Sequence, residues 1–262
     1  MVKNNIVDFN FFIKILIFFL TILLFEGIYH FYYFKFSQLL SFIPYKNQTG
    51  YNDLIWKENG IIEILQVLFL FLSIIFIIRF LKITYIIFTP KFKFFVFLYL
   101  LGVFYYFFEE ISWGQHIFGW QSPEFFLEIN TQNETNIHNT LSIFNELPRN
   151  LLLIWCSLSF LIVRKLSLKN ENLIFFIYPS SKLKWISIIV LLFFFPDFII
   201  DKFNLAPGHP AENHNDILLN TMFEIISFNF IRLSELQELL FNTYILWHSY
   251  FLTKTNETKK IY

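Results

Sequence analysis

The run "IIEILQVLFLFLSIIFIIRFL", residues 61–81, is apolar along nearly its whole length, and its two charged side chains, Glu63 and Arg79, lie near its ends. About 20 consecutive apolar residues form a helix long enough to cross a ~30 Å hydrocarbon core. The run therefore predicts a transmembrane helix.

The rest of the chain has the same character. Of its 262 residues, 56% are hydrophobic and 15% are charged, whereas a typical soluble domain has about 25% charged residues. The sequence predicts an all-α, polytopic membrane bundle that forms a single integral membrane domain over residues 1–262. Its six predicted spans are 9–29, 61–81, 94–112, 149–165, 183–201 and 233–252.

Charged residues divide these spans into two sets of ends. Most of the 20 basic residues cluster at one set, which the positive-inside rule makes cytoplasmic, so both termini are predicted to be inside. All acidic residues except Asp8, Glu171 and Glu257 fall on the opposite side. Because acids contribute little to orientation, their concentration at the outer ends indicates a second role.

The stretch "FFEEISWGQHIFGW", residues 107–120, ends the third span on this outer side. If the helix continues, Glu109, Ser112 or Trp113, and His116 share one face, and Glu110 points away from it. The stretch is also compatible with two glutamates that simply face water beside interfacial tryptophans. The additional Ser, Gln and His favour a functional site, with Glu109, Glu110 and His116 as candidate catalytic residues.

The next segment, "EINTQNETNIHNTLSIFNEL" at residues 128–147, is too polar to span a membrane. On a helix Glu134 and His138 would share a face, a spacing that suits an acid–imidazole couple or a pair of metal ligands. In an extended chain the even-numbered residues from Asn130 to His138 would point the same way. A solvated loop with helix-capping Asn and Thr residues is the alternative. Glu134 and His138 complete the predicted catalytic set.

The two long polar outer loops are predicted at residues 113–148 and 202–232, and the second contains "APGHPAENHND" at residues 206–216. His and carboxylate side chains are the usual ligands of zinc and similar ions. The predicted metal ligands are Glu110, His138, His209 and His214. The cofactor is otherwise unknown, with a divalent metal such as zinc as the candidate.

Carboxylates also lie near the outer ends of the other spans. Since ionisable side chains at membrane depth normally face the bundle interior or a water-filled cavity, their common level predicts an acidic cavity that opens outward. The residues concerned are Glu26, Glu63, Asp197, Asp201, Glu235 and Glu238.

Two of these motifs carry a resemblance. "EEISWGQ" at residues 109–115, followed by "NTQNETNIHN" at residues 130–139, resembles a motif pair of a family of uncharacterised bacterial multi-pass membrane proteins. "ENGIIE" at residues 58–63 is similar to the opening of a span in that family. The resemblance covers residues 58–140. It implies a shared site but no particular activity.

Three functions are compatible with these features. The first is an enzyme with an acidic and histidine site at the outer membrane face, which acts on a lipid or lipid-linked substrate. The alternatives are a proton- or cation-coupled transporter and a non-catalytic envelope assembly protein. The predicted partner is the lipid bilayer, in a bacterial cytoplasmic membrane. Nucleic acid is excluded as a partner because the chain has no basic patch.

Overall fold

The computed structural model describes residues 10–25, 28, 53–56, 60–84, 89–130, 134–138, 140–165, 183–202 and 233–259. Within these ranges every regular element is a helix, and no strand occurs, so the all-α prediction is confirmed for this part of the chain. The long helices are α1 (Asn10–Phe25), α3 (Ile61–Thr84), α4 (Pro90–Glu110), α7 (Ser142–Lys165), α8 (Leu183–Lys202) and α9 (Leu233–Lys259). The short helices are α2 (Asp53–Trp56), α5 (Gln115–Phe118) and α6 (Glu124–Ile129).

Each predicted span coincides with one long helix. The largest differences are seven residues each: α9 ends at Lys259, beyond the predicted 252, and α7 begins at Ser142, before the predicted 149, and contains Pro148. The polar residues Asn145 and Glu146 lower the hydropathy of this first part without preventing a helix. The predicted outer loop 113–148 therefore contains α5, α6 and the start of α7.

Local signals explain where α3 and α4 begin. Thr89 caps α4 by accepting a hydrogen bond from the backbone N–H of Phe92 at 3.4 Å, and Pro90 occupies the first turn, where its missing N–H costs nothing. In α3, Glu63 lies in the first turn and Lys82 in the last, so both charges complement the helix dipole.

The chain divides into two compact units. The first comprises Met1–Ile64 and Ile188–Leu240, and in it the rings of Phe19 and Phe193 pack 6.4 Å apart. The second comprises Leu65–Ser187 and Phe241–Tyr262. Its apolar core draws on α3, α4 and α9, with side chains of α7 packed against it. The buried members are Leu70, Ile74, Ile77, Phe80, Phe92, Val96, Val103, Ile245 and Leu252.

Polar and aromatic contacts join the helices of this second unit. The Thr253 hydroxyl of α9 donates to the carbonyl of Phe76 in α3 at 2.9 Å, and Tyr99 of α4 hydrogen-bonds Ser249 at 3.2 Å. His248 is fully buried among three aromatic rings, with centroids 4.9–6.1 Å from its own: Tyr99, Trp155 and Tyr244. These contacts hold α4, α7 and α9 together.

Two helices are long and apolar enough to cross a membrane, over Ile61–Ile83 and Phe92–Glu110, in the part of the chain that the structure describes. Only about a third of the first window and a fifth of the second are buried in the protein (33% and 22%). The exposed apolar side chains recur every three or four residues and so form stripes along each helix. They are Ile64, Leu68, Phe71, Ile75 and Ile78 on α3, and Phe94, Phe97, Leu98, Leu101, Phe104 and Tyr105 on α4.

Candidate functional site

The site forms where α4 ends. The helix stops at Glu110, and the following residues, Ser112, Trp113 and Gly114, have positive φ angles of 45°, 56° and 99°. Glycine tolerates such angles, but Ser and Trp rarely adopt them, because the strained backbone conformation costs about 1–3 kcal/mol for each residue. This turn brings the Trp113 side chain back to the last turn of α4.

Glu109 is the acceptor at the centre of a first cluster, the Glu109 cluster. Its side chain is only 3% exposed. One carboxylate oxygen, Oε1, accepts from the indole N–H of Trp113 at 2.7 Å. The other, Oε2, accepts from the backbone N–H groups of Ile137 at 2.7 Å and His138 at 2.9 Å. Two backbone amides and an indole therefore converge on one carboxylate, which suits a negative charge.

The imidazole of His138 joins the same carboxylate. Its Nδ1 lies 3.3 Å from Oε2 of Glu109, while the side chain remains 32% exposed. A carboxylate at Nδ1 fixes the orientation of the ring and favours a proton on that nitrogen. Nε2 can then exchange protons with another molecule.

A second, buried cluster surrounds Glu134. The hydroxyl of Ser112 donates to Oε2 of Glu134 at 2.9 Å, and the amide of Asn136 donates both to this oxygen and to the Ser112 hydroxyl. Asn130 supports Asn136 by donating to its side-chain oxygen at 2.7 Å and to its carbonyl at 3.0 Å. Ser112 thus links the strained turn after α4 to the segment around Glu134.

Gln115 makes a third connection between the two segments. Its side-chain oxygen accepts from the backbone N–H of Thr135 at 2.7 Å and from the Ser122 hydroxyl at 3.2 Å. Ser122 and Thr135 also hydrogen-bond each other at 3.3 Å. Residues 109–115 and 134–138 are therefore held together at three separate points.

The structure brings three of the predicted catalytic residues into this network. Glu109 and His138 are in direct contact, and Glu134 is bound through Ser112 and Asn136. Glu110 is partly buried at the last position of α4. His116 lies in α5, but its side chain is outside the described residues.

Two expectations about shared faces need correction. The helical face expected from Glu109 to His116 is wrong, because positive φ angles end the helix at Glu110. The segment 134–138 is not helical either, so the imidazole of His138 contacts Glu109 of α4 rather than sharing a helix face with Glu134. Burial alternates as in the extended alternative from Glu134 to Ile137, since Glu134 and Asn136 are buried and Ile137 is exposed, but His138 is 32% exposed and departs from it.

Sequence reasoning missed the supporting residues. Trp113, Gln115, Asn130 and Asn136 hold the two carboxylates or the segment that carries them. All four belong to the quoted motifs, so their polar groups were visible. Their partners were not, since these depend on the backbone turn at Ser112 and Trp113.

The predicted metal site stays a prediction. His209 and His214 lie outside the described residues. Within the described part of the chain, no group of three or more His, Cys, Asp or Glu side chains is arranged to hold a metal ion.

No protein-family model, curated protein or solved structure matches the chain. The resemblance of the two motifs to a bacterial membrane protein family therefore stays a prediction. Function has to be inferred from the geometry of the site.

Proposed function

We propose that the chain is a polytopic membrane enzyme whose Glu109–His138 couple performs acid–base catalysis at the outer face, on a lipid or lipid-linked substrate. The observation that carries the proposal is the contact between a buried carboxylate and a partly exposed imidazole, 3.3 Å apart. The carboxylate belongs to the next-to-last residue of a helix long enough to span a bilayer.

Exposed apolar stripes support insertion into a membrane. Soluble proteins rarely leave contiguous apolar patches larger than a few hundred Å² in water. Here α7 carries a third stripe, which extends those of α3 and α4 to another helix of the same unit: Ile143, Leu147, Leu151 and Ile154. Together with the six apolar runs and the one-sided basic residues of the sequence, these stripes favour a multi-pass protein with both termini in the cytoplasm.

Acid–base chemistry follows from the roles of the two groups. Glu109 holds the Nδ1 side of the imidazole, so Nε2 is the nitrogen that acts on the substrate. As a base, Nε2 takes a proton from water while the water oxygen bonds to an ester or amide carbonyl carbon. It then returns the proton to the leaving oxygen or nitrogen as the bond to that atom breaks. The net reaction is hydrolysis.

The position of the couple favours a lipid substrate. Glu109 is one residue from the end of α4, where a spanning helix meets the headgroup region, and exposed apolar side chains lie on the segments that follow it. A molecule anchored in the outer leaflet would present its headgroup linkage at this depth. A water-soluble substrate would not require these apolar surroundings.

A panel of lipids tests the proposal. The protein in nanodiscs is incubated with neutral glycerolipids, sphingolipids, phospholipids and polyprenyl-linked sugars, and products are measured by mass spectrometry. We expect turnover of one class, lost in both His138→Gln and Glu109→Gln, and retained in Glu146→Gln, an exposed carboxylate on α7. Turnover that survives His138→Gln would refute the couple as the catalytic group.

Metal content of the same preparations addresses the predicted zinc site. Stoichiometric metal in the wild type, lost in both Glu110→Ala and His138→Ala, would place His138 in a metal site and replace the acid–imidazole couple as the mechanism. Retention of full activity after chelation supports the couple.

One observation favours a second candidate, a non-catalytic assembly protein. The hydrogen bonds onto Glu109 come from the chain's own amides and indole, so Glu109 can serve only to fix the conformation of segment 134–138 for a protein partner. In that case none of the lipids would be turned over, and His138→Gln would leave the function unchanged.

A further inference from the structure

The segments after α4 expose an unusual amount of apolar surface. Five large side chains of α5, α6 and their linker are at least 38% exposed, and we call them the interfacial surface: Ile117, Phe118, Trp120, Phe125 and Ile129. The most exposed is Phe118, at 76%, and its ring stacks on Trp120 with centroids 5.7 Å apart and planes within 9°. The two parallel rings form one exposed apolar patch.

Helix α6 has two faces, although no residue in it is buried. Glu124 and Glu128 are four apart and share one side, whereas Phe125 and Ile129, also four apart, share another. A helix that packs on the protein core would bury its apolar face. The apolar face of α6 is instead open, as in helices that lie in the plane of a membrane interface.

The interfacial surface is continuous with the apolar surface of α4. It begins seven residues after α4 ends at Glu110, and the chain changes direction at Gly114 and Gly119, whose φ angles are 99° and 70°. In the intervening turn, Trp113 packs against Tyr105 and Phe108 of α4 at 6.1 and 5.4 Å. The same bilayer that surrounds the α4 stripe can therefore cover this surface.

The charge of the segment after α4 indicates which lipid headgroups it can bind. Residues 111–148 contain four glutamates and no Lys or Arg. Surfaces that bind anionic lipids are rich in basic residues. An acidic, apolar surface instead fits headgroups that carry an ammonium group, which Glu124 and Glu128 can approach.

We propose that α5, the linker and α6 lie flat in the outer interface of the bilayer, with the interfacial surface at the boundary of the acyl chains and Glu124 and Glu128 among ammonium-bearing headgroups. This inference rests on the proposed membrane insertion of α4. It deepens the proposed function, because it describes how a zwitterionic lipid of the outer leaflet comes beside His138 without leaving the membrane.

Single-cysteine spin labels test the proposal in the full chain. The one native cysteine, Cys156, is buried and is replaced by alanine. Labels are placed at Phe118 and Phe125 of the interfacial surface, at Glu128 of the polar face as matched control, and at Leu98 of the α4 stripe. Accessibility to oxygen, which partitions into lipid, and to a water-soluble nickel chelate is measured in nanodiscs that each hold one protein. The lipids are phosphatidylethanolamine with phosphatidylcholine, or the same mixture with phosphatidylglycerol.

We expect labels at Phe118 and Phe125 to lose collisions with the nickel chelate and gain collisions with oxygen, relative to Glu128. Phosphatidylglycerol should reduce this difference. If Phe118 and Phe125 are as accessible to the chelate as Glu128 while Leu98 is protected, the interfacial position is wrong and membrane insertion stands. If Leu98 is also accessible to the chelate, membrane insertion itself fails. Protection that occurs only when two or more proteins share a nanodisc would show that a second copy, not lipid, covers the surface.

Discussion

The replacement Glu109→Gln tests the hydrogen bonds that hold the site together. Both carboxylate oxygens of Glu109 face N–H donors, so either orientation of a glutamine amide turns its NH₂ group against a donor. The least costly orientation turns the NH₂ toward Trp113. It loses that hydrogen bond and leaves the bonds from Ile137 and His138 with a neutral acceptor.

The magnitude follows from the strength of these bonds. A hydrogen bond to a charged group contributes about 1.5–3 kcal/mol and one between neutral groups about 0.5–1.5 kcal/mol. Even at the lower end of these ranges, losing the first kind at Trp113 and weakening the two backbone bonds should cost about 3.5 kcal/mol in the free energy that closes segment 134–138 over α4. Since about 1.4 kcal/mol corresponds to a factor of ten, the segment should open at least about a hundredfold more often.

Hydrogen–deuterium exchange of the protein in nanodiscs measures this opening. The amides of Ile137 and His138 should exchange at least about a hundredfold faster in Glu109→Gln than in the wild type. Glu110→Gln is the matched control, because it makes the same chemical change one residue away. Equal exchange in the two variants would refute the assignment of Glu109 as the residue that holds the segment.

Replacements at four further positions probe the supporting residues and the turn, each by thermal unfolding in detergent. Trp113→Phe keeps an aromatic ring but loses the indole N–H, and should cost about 1.5–3 kcal/mol; an unchanged midpoint would contradict the indole hydrogen bond. Asn136→Asp replaces the donor beside Glu134 by a second carboxylate, so it should destabilise more than Asn136→Ala; the reverse order would exclude that contact. Gly114→Ala and Gly119→Ala both meet a positive φ, but a Cβ at Gly114 would lie 3.2 Å from neighbouring rings and one at Gly119 would meet nothing within 4 Å. Gly114→Ala should therefore lower the midpoint more, and equal effects would contradict the packing at that turn.

The helices were predictable because most of each one lies in a long run of apolar residues. All six apolar runs coincide with long helices in the part of the chain that the structure describes. The start of α7 was missed because Asn145, Glu146 and Pro148 suggest a loop by composition. Their side chains nevertheless allow a helix, and Pro148 lies in its second turn.

The residue types of the site were predictable, but most of their pairings were not. Glu109, Glu134 and His138 stood out as ionisable groups beside an apolar run. The contact between Glu109 and His138 spans 29 positions and depends on the route of the chain between them, so local spacing pointed to Glu134 as the partner of His138 instead. The positive φ angles of Ser112 and Trp113 carry no composition signal, because neither residue type favours them.

The most direct measurement is the ¹⁵N NMR spectrum of His138, in protein labelled at histidine and compared between the wild type and Glu109→Gln, with His138→Gln to assign the signals. The proposed function predicts a neutral wild-type imidazole with its proton on Nδ1, toward the Glu109 carboxylate, and a bare Nε2, and it predicts that Glu109→Gln disturbs this preference. A wild-type imidazole with its proton on Nε2, or signals unchanged by Glu109→Gln, would contradict the oriented acid–imidazole couple.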